Sequence, residues 1–129
     1  MVDLLKGKTV IVTGAGRGIG KGIAEAIAKE GGNVVISDID AASCDATAKE
    51  IAEKFGVKAV GLAGNVAKKD DAVKLAQAAK DLGEGKIWGI VNNAGITKDS
   101  MIKKLTEEQW DALMTVNLKG NFLCNQAVL

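Results

Sequence analysis

The residues best placed to do chemistry follow the first apolar run: Thr13-Gly14-Ala15-Gly16-Arg17-Gly18-Ile19-Gly20. Glycine lets a backbone turn sharply and lets another group approach closely. A helix starting near Gly18 would add unpaired N–H groups and the positive end of its dipole. Together they suit a phosphate. The spacing is Gly14-x-x-x-Gly18-x-Gly20 rather than G-x-G-x-x-G, because the third position counted from Gly14 and Gly16 falls on Ile19. A tight strand-to-helix turn with no ligand would use the same glycines.

Asp38 is the second candidate, placed 18 residues after Gly20 at the end of another apolar run. At close to that separation a carboxylate meets the ribose of a bound dinucleotide, accepts its hydroxyls and repels a 2′-phosphate. NAD(H) is therefore favoured. Arg17 pulls the other way, since a guanidinium can pair a 2′-phosphate, and NADP(H) stays open. Asp38 or its neighbour Asp40 could instead cap the following helix. The third candidate is Val91-Asn92-Asn93-Ala94-Gly95. Ala94 and Gly95 allow close approach, and the amides can satisfy buried backbone groups or ribose hydroxyls. An ordinary turn would also fit this motif.

These groups need elements to position them. Thr9–Thr13 is a β-branched run that reads as a strand, followed by a glycine turn and a helix over 20–29 with Ile23, Ala24, Ile27 and Ala28 at helical spacing. Strands are predicted over 33–37, 58–62 and 87–91, and helices over 41–55 and 70–82. A last helix starts with a capping box at Thr106, with Gln109 three residues on. Strands apolar on consecutive positions and alternating with helices predict an α/β fold, a doubly wound parallel sheet of about four strands. With right-handed crossovers and order 3-2-1-4, strands one and four flank one crevice where the winding reverses. TGAGRGIG and NNAG would face the same ligand there.

The 129 residues, 47% hydrophobic and 26% charged, predict one domain over 1–129 with its own core. A net charge of +1 without a basic face or charge block gives no reason to expect nucleic acid or a membrane surface. Cys44 and Cys124 lie far apart and there is no histidine, so neither a disulfide framework nor a zinc site is expected. The opening MVDLLKGK has too little apolar length for a signal peptide, and a cytoplasmic location is the expectation.

TGAGRGIG with NNAG, SDID at the second strand end and Asn117 in the last helix resembles the classical short-chain dehydrogenase/reductases. The resemblance runs from about Gly7 to the last residue. The stretch from Asn92 to Gly120 is most similar to the 3-oxoacyl-[acyl-carrier-protein] reductase branch, whereas SDID is more similar to NAD-using members. The resemblance implies a Rossmann-like fold and a cofactor held by Gly14, Gly16, Arg17, Gly18, Ile19, Gly20, Asp38, Ile39, Asn93, Ala94 and Gly95. It places Asn65 and Val66 near the adenine, although many members carry Asp where this chain has Asn65.

Asn117 matches the first member of a catalytic Asn, Ser, Tyr and Lys tetrad. The family uses it to hold a water in a proton relay to the Lys, which lowers the Tyr pKa. The chain contains no tyrosine, and Lys98, Lys103 and Lys104 read as solvated charges. The expectation is a truncated cofactor-binding half of an NAD(P)-dependent oxidoreductase, incomplete at the carboxyl end and inactive alone. A non-catalytic dinucleotide-binding module and a self-assembling interaction module are the alternatives. Self-association, as a homo-oligomer, would use the edge at 87–91 or the last helix, which carries Trp110, Leu113, Met114 and Leu118 on one face and Val116, Gly120, Leu123 and Ala127 on another.

Overall fold

Val10, Ile11 and Val12 are apolar on consecutive positions, so their strand belongs where both faces are covered. The computed structural model describes residues 3–129 and buries that strand, β1 (Thr9–Thr13), at every position. It joins β2 (Asn33–Asp38), β3 (Ala59–Ala63) and β4 (Gly89–Val91) in a parallel sheet of order β3-β2-β1-β4. The expected four strands and their order are both present.

The strand period of two sends alternate side chains to opposite layers. Val10, Val12, Val34 and Ile36 pack with Ala24, Ala28, Ala48 and Ile51 of α1 (Gly18–Lys29) and α2 (Ala41–Phe55). Ile11 and Val35 point the other way, onto Leu75 and Ala79 of α3 (Lys69–Leu82). Each fully buried Val or Ile contributes roughly 1.5–3 kcal/mol relative to exposure. The core therefore lies directly behind the strand ends that carry the candidate residues.

Asp40, not Asp38, caps α2. Its carboxylate accepts from the Ala42 N–H at 3.1 Å and the Ser43 hydroxyl at 2.6 Å. The Ser43 hydroxyl and then the Ala42 amide hold the Asp40 carboxyl below its usual range. Asp38 is thereby left available for another task. At its other end α2 stops at Gly56, whose φ of 68° is the left-handed region that favours glycine.

The bounds of α1, β2, β3 and α3 shift from expectation by one or two residues, and two further elements differ in ways that change the packing. The β4 ladder begins at Gly89, and just upstream the Trp88 N–H donates to the Thr9 carbonyl of β1 at 2.9 Å. Ile87 instead packs into the layer around Ile11. The last helix is not continuous: the Thr106–Gln109 capping box starts α4 (Glu107–Met114), a π turn spans Thr115–Lys119, and α5 (Gly120–Val128) completes it. A π turn inserts one residue and rotates the helix beyond it. Gly120, Leu123 and Cys124 are buried past this turn, the latter two beside Ala72 of α3. Trp110, Leu118 and Phe122 are more than half exposed.

Cys44 and Cys124 are both buried free thiols. Burial first, and then the nearby Asp38 charge, push the Cys44 thiol from 9.0 up to about 11, and burial raises Cys124 too. An acid whose folded pKa is raised stabilises the fold fully below its unfolded value and loses that contribution as pH climbs toward the folded value. Unfolding free energy should therefore begin to fall above pH 9, by up to about 1.4 kcal/mol per pH unit for each thiol. Urea denaturation across pH 8 to 11 checks this, and Cys44→Ala should flatten the fall. An unchanged slope in that variant would contradict the assignment.

Candidate functional site

Where β1 and β4 lie side by side, the connections leaving their carboxyl ends part and open a cleft of about 410 Å³. Gly14, Arg17, Gly18, Ile19, Gly20, Asp38, Ile39, Asn65, Val66, Asn93, Ala94 and Gly95 all line it. Residues far apart in the sequence, twelve of them expected at the site, thus meet in one place. Ser37, Gly64, Ile96 and Val116, which sequence reasoning had not assigned to the site, line it as well. Gly16 and Asn117 are absent from the lining, and each is hydrogen-bonded to a residue that lines it, Gly16 to Asp38 and Asn117 to Ile96.

Glycines are needed in the first loop because other backbone occupies the space. Gly14 has a φ of +64°, and a Cβ there would sit 2.9 Å from the Ala94 Cα. A Cβ on Gly20 would collide with the Gly14 carbonyl and lie 2.5 Å from the Asn93 Nδ2. Gly16 donates its N–H to Asp38 Oδ2 at 3.0 Å and accepts at its carbonyl from the Thr47 hydroxyl at 2.8 Å. Arg17, the N-cap of α1, makes no side-chain cap, and the first turn of α1 holds no acid. The positive helix end at the cleft is therefore uncompensated, the condition that favours an anion.

The second wall is tied to the first by one hydroxyl. Thr13 Oγ1, at the end of β1, accepts from the Asn93 N–H at 3.1 Å and the Ala94 N–H at 3.0 Å. Asn93 Nδ2 in turn donates to the Gly14 carbonyl at 3.2 Å. Thr13 is 1% exposed, so it serves as an internal strut. The signal for it was a threonine closing an apolar strand, since a buried hydroxyl needs partners.

Asp38 Oδ1 accepts from the Ile39 N–H at 2.8 Å. Each of its oxygens has taken one N–H, and a carboxylate has about four acceptor sites, so capacity for hydroxyl groups remains. Asn65 turns the chain with its own side chain, accepting from the Ala67 N–H at 2.9 Å, while Asp71 accepts from the Asn65 N–H at 2.9 Å. Asn117 uses both ends of its amide on one residue: Oδ1 accepts from the Ile96 N–H at 2.9 Å and Nδ2 donates to the Ile96 carbonyl at 3.0 Å. It therefore holds the loop after β4 against the π turn. Lys98, Lys103 and Lys104 are exposed.

These features fit a dinucleotide. An uncapped helix end and glycines crowded by backbone suit a pyrophosphate, and a carboxylate with spare acceptor capacity beside an exposed Ile39 suits an adenosine ribose. Among the described residues there is no group of acids, cysteines or histidines that could hold a metal, and no helix long and apolar enough to cross a membrane.

Comparison with known proteins agrees with the geometry. The chain is 40% identical over 122 residues to the 3-oxoacyl-[acyl-carrier-protein] reductase FabG of Aquifex aeolicus, covering 95% of this chain and 49% of that protein. It is 41% identical over 124 residues to the hydroxyacyl-CoA dehydrogenase ChsB1 of Mycobacterium tuberculosis, covering 92% of this chain and 38% of that protein. The crystal structure of L-sorbose reductase from Gluconobacter frateurii, complexed with NADPH and L-sorbose, superposes with a TM-score of 0.91 at 27% identity, over 98% of this chain and 48% of that one. The chain thus spans half or less of the length of these relatives. The family model for short chain dehydrogenases matches residues 8–129, and the chain belongs to that family.

Proposed function

We propose that this chain is the cofactor-holding portion of an NAD(P)-dependent short-chain oxidoreductase acting on a carbonyl or hydroxyl group, with a 3-oxoacyl thioester as the substrate class. The observation that carries this reading is the single cleft into which the uncapped α1, Asp38 and the Asn93–Ala94 wall all open. Gly18, Ile19 and Gly20 at the start of α1 would meet the pyrophosphate with backbone N–H groups and the helix dipole. Asp38 would accept the adenosine ribose hydroxyls, and Asn65 and Val66 would border the adenine. Ala94 and Gly95 leave room for the second half of the molecule, whose nicotinamide supplies the hydride when bound. Similarity to the 3-oxoacyl-[acyl-carrier-protein] reductases supports the substrate class.

Asn117 holds Ile96 at the cleft wall, and no tyrosine exists in the 129 residues to exchange a proton with a substrate oxygen. Binding without turnover is the expected behaviour of this chain by itself. Calorimetric titration with NADH and NADPH, after circular dichroism has confirmed the fold, should give saturable binding between micromolar and millimolar, about −8 to −4 kcal/mol. NADH should bind the tighter of the two, and added 3-oxoacyl thioester should leave the NADH absorbance unchanged. A folded chain that binds neither dinucleotide would overturn the proposal.

A further inference from the structure

Thr47 lies in the interior of α2, 3% exposed, where a threonine hydroxyl ordinarily bonds back to a carbonyl of its own helix. Here it donates instead to Gly16, 31 residues away, at 2.8 Å. Gly16 is consequently held on three sides. Asp38 Oδ2 takes its N–H, Thr47 binds its carbonyl, and a Cβ on it would sit 2.7 Å from the Ser43 Cβ. The peptide plane is rigid, with its C=O and the next N–H pointing in opposite directions. Fixing the Gly16 carbonyl toward α2 therefore turns the Arg17 N–H away from α2, and among the described residues no acceptor meets it.

We propose that Thr47 is a positioning residue which, through Gly16, fixes both the phosphate-facing backbone and the carboxylate of Asp38. The proposal rests on the dinucleotide reading given above. Gly16 touches Asp38 and Thr47 with opposite ends of its backbone, so releasing one end loosens the other. Thr47 thereby couples affinity at the glycine loop to discrimination between ribose and 2′-phosphate.

The test compares the chain with Thr47→Val, which keeps the shape and removes the hydroxyl, and Thr47→Ser, which keeps the hydroxyl. Thr47→Val should weaken NADH binding about tenfold, or about 1.4 kcal/mol, while NADPH binding weakens only about twofold, so the preference narrows about fivefold. Thr47→Ser should stay within about twofold of the parent for both ligands. A purely structural hydroxyl would lower the melting temperature without narrowing that preference.

Amide exchange measured by NMR in the ligand-free chain separates this proposal from the functional one, because it needs no cofactor. Gly16 should exchange faster in Thr47→Val than in the parent, whether or not either chain binds NADH. If the parent binds no dinucleotide, the functional reading fails and Gly16 exchange still decides the role of Thr47. Parent-like Gly16 protection in Thr47→Val, or a parent-like ratio of NADH to NADPH affinity, would overturn it. If Thr47→Val does not fold, Thr47→Ala carries the same test: faster Gly16 exchange with a narrowed ratio supports the proposal, and a parent-like value of either overturns it.

Discussion

Gly20→Ala is expected to weaken dinucleotide binding severely and to lower folding stability by about 2 kcal/mol, the net of two opposing effects. Gly20 stands in the first turn of α1, where alanine should favour the helix by about 1 kcal/mol over glycine. Against that, the added Cβ would meet the Gly14 carbonyl, with its carbon at 2.8 Å, and the Asn93 Nδ2 at 2.5 Å. Neither neighbour is the free end of a flexible side chain, since Asn93 is itself bonded to the Gly14 carbonyl at 3.2 Å. Overpacking against fixed atoms costs about 1–3 kcal/mol, and a backbone carbonyl puts this site at the upper end.

Relief requires the glycine loop to move away from the Asn93 wall, and that movement destroys the cleft. Binding of NADH should weaken more than about a hundredfold, or about 2.7 kcal/mol. Gly22, two residues further along the same helix, supplies the control, because a Cβ there finds nothing within 4 Å. Gly22→Ala should raise stability by up to about 1 kcal/mol and leave binding intact. Urea denaturation of the two variants reads the opposite signs directly, and equal behaviour would show that the loop does not pack as described.

How much of this was legible in the sequence differs from element to element, for physical reasons. β1 and α2 could be bounded to the residue because their ends carry local chemistry: a glycine cluster after Thr13, Asp40 ahead of Ala41, and Gly56 after Phe55. The glycines, Asp38 and the Asn93–Gly95 turn could be named because backbone approach and helix-end polarity demand particular residue types at particular spacings, whereas Ile39, Asn65 and Val66 were implied only by the family resemblance. The break at Thr115–Lys119 could not, since TVNLK continues an ordinary helical pattern. What distinguishes it is tertiary: Asn117 binds Ile96, 21 residues away, and Gly120 packs so closely that a Cβ would sit 2.8 Å from Val66. Thr47 was hidden for the same reason. In a helix pattern it is one more small residue on the inner face, and only the fold shows that its hydroxyl leaves the helix for Gly16.

Asp38→Asn carries the second large effect, and it separates charge from shape. An asparagine fills the same volume but offers one acceptor oxygen where the carboxylate offers two. The Gly16 N–H and the Ile39 N–H, now taken by Oδ2 and Oδ1, would compete for it. Under the proposed function the ribose hydroxyls lose a charge-assisted partner, worth about 1.5–3 kcal/mol, so NADH affinity should fall at least about tenfold. NADPH should respond in the opposite direction, because removing the carboxylate removes its repulsion of a 2′-phosphate while Arg17 remains on the cleft lining.

The gain for NADPH should be smaller than the loss for NADH, since Ile39 beside the site is 74% exposed and water screens the charge. Together they should shift the NADH to NADPH affinity ratio about a hundredfold. Salt distinguishes the two contributions: titrations at about 0.05 M and about 0.5 M salt should shrink the NADPH gain, a long-range effect, and leave most of the NADH loss, a contact effect. A ratio that does not move would place the ribose elsewhere and leave Asp38 as no more than an acceptor for the Gly16 and Ile39 amides. A ratio that moves as described ties the affinity difference to the same carboxylate that anchors the glycine loop.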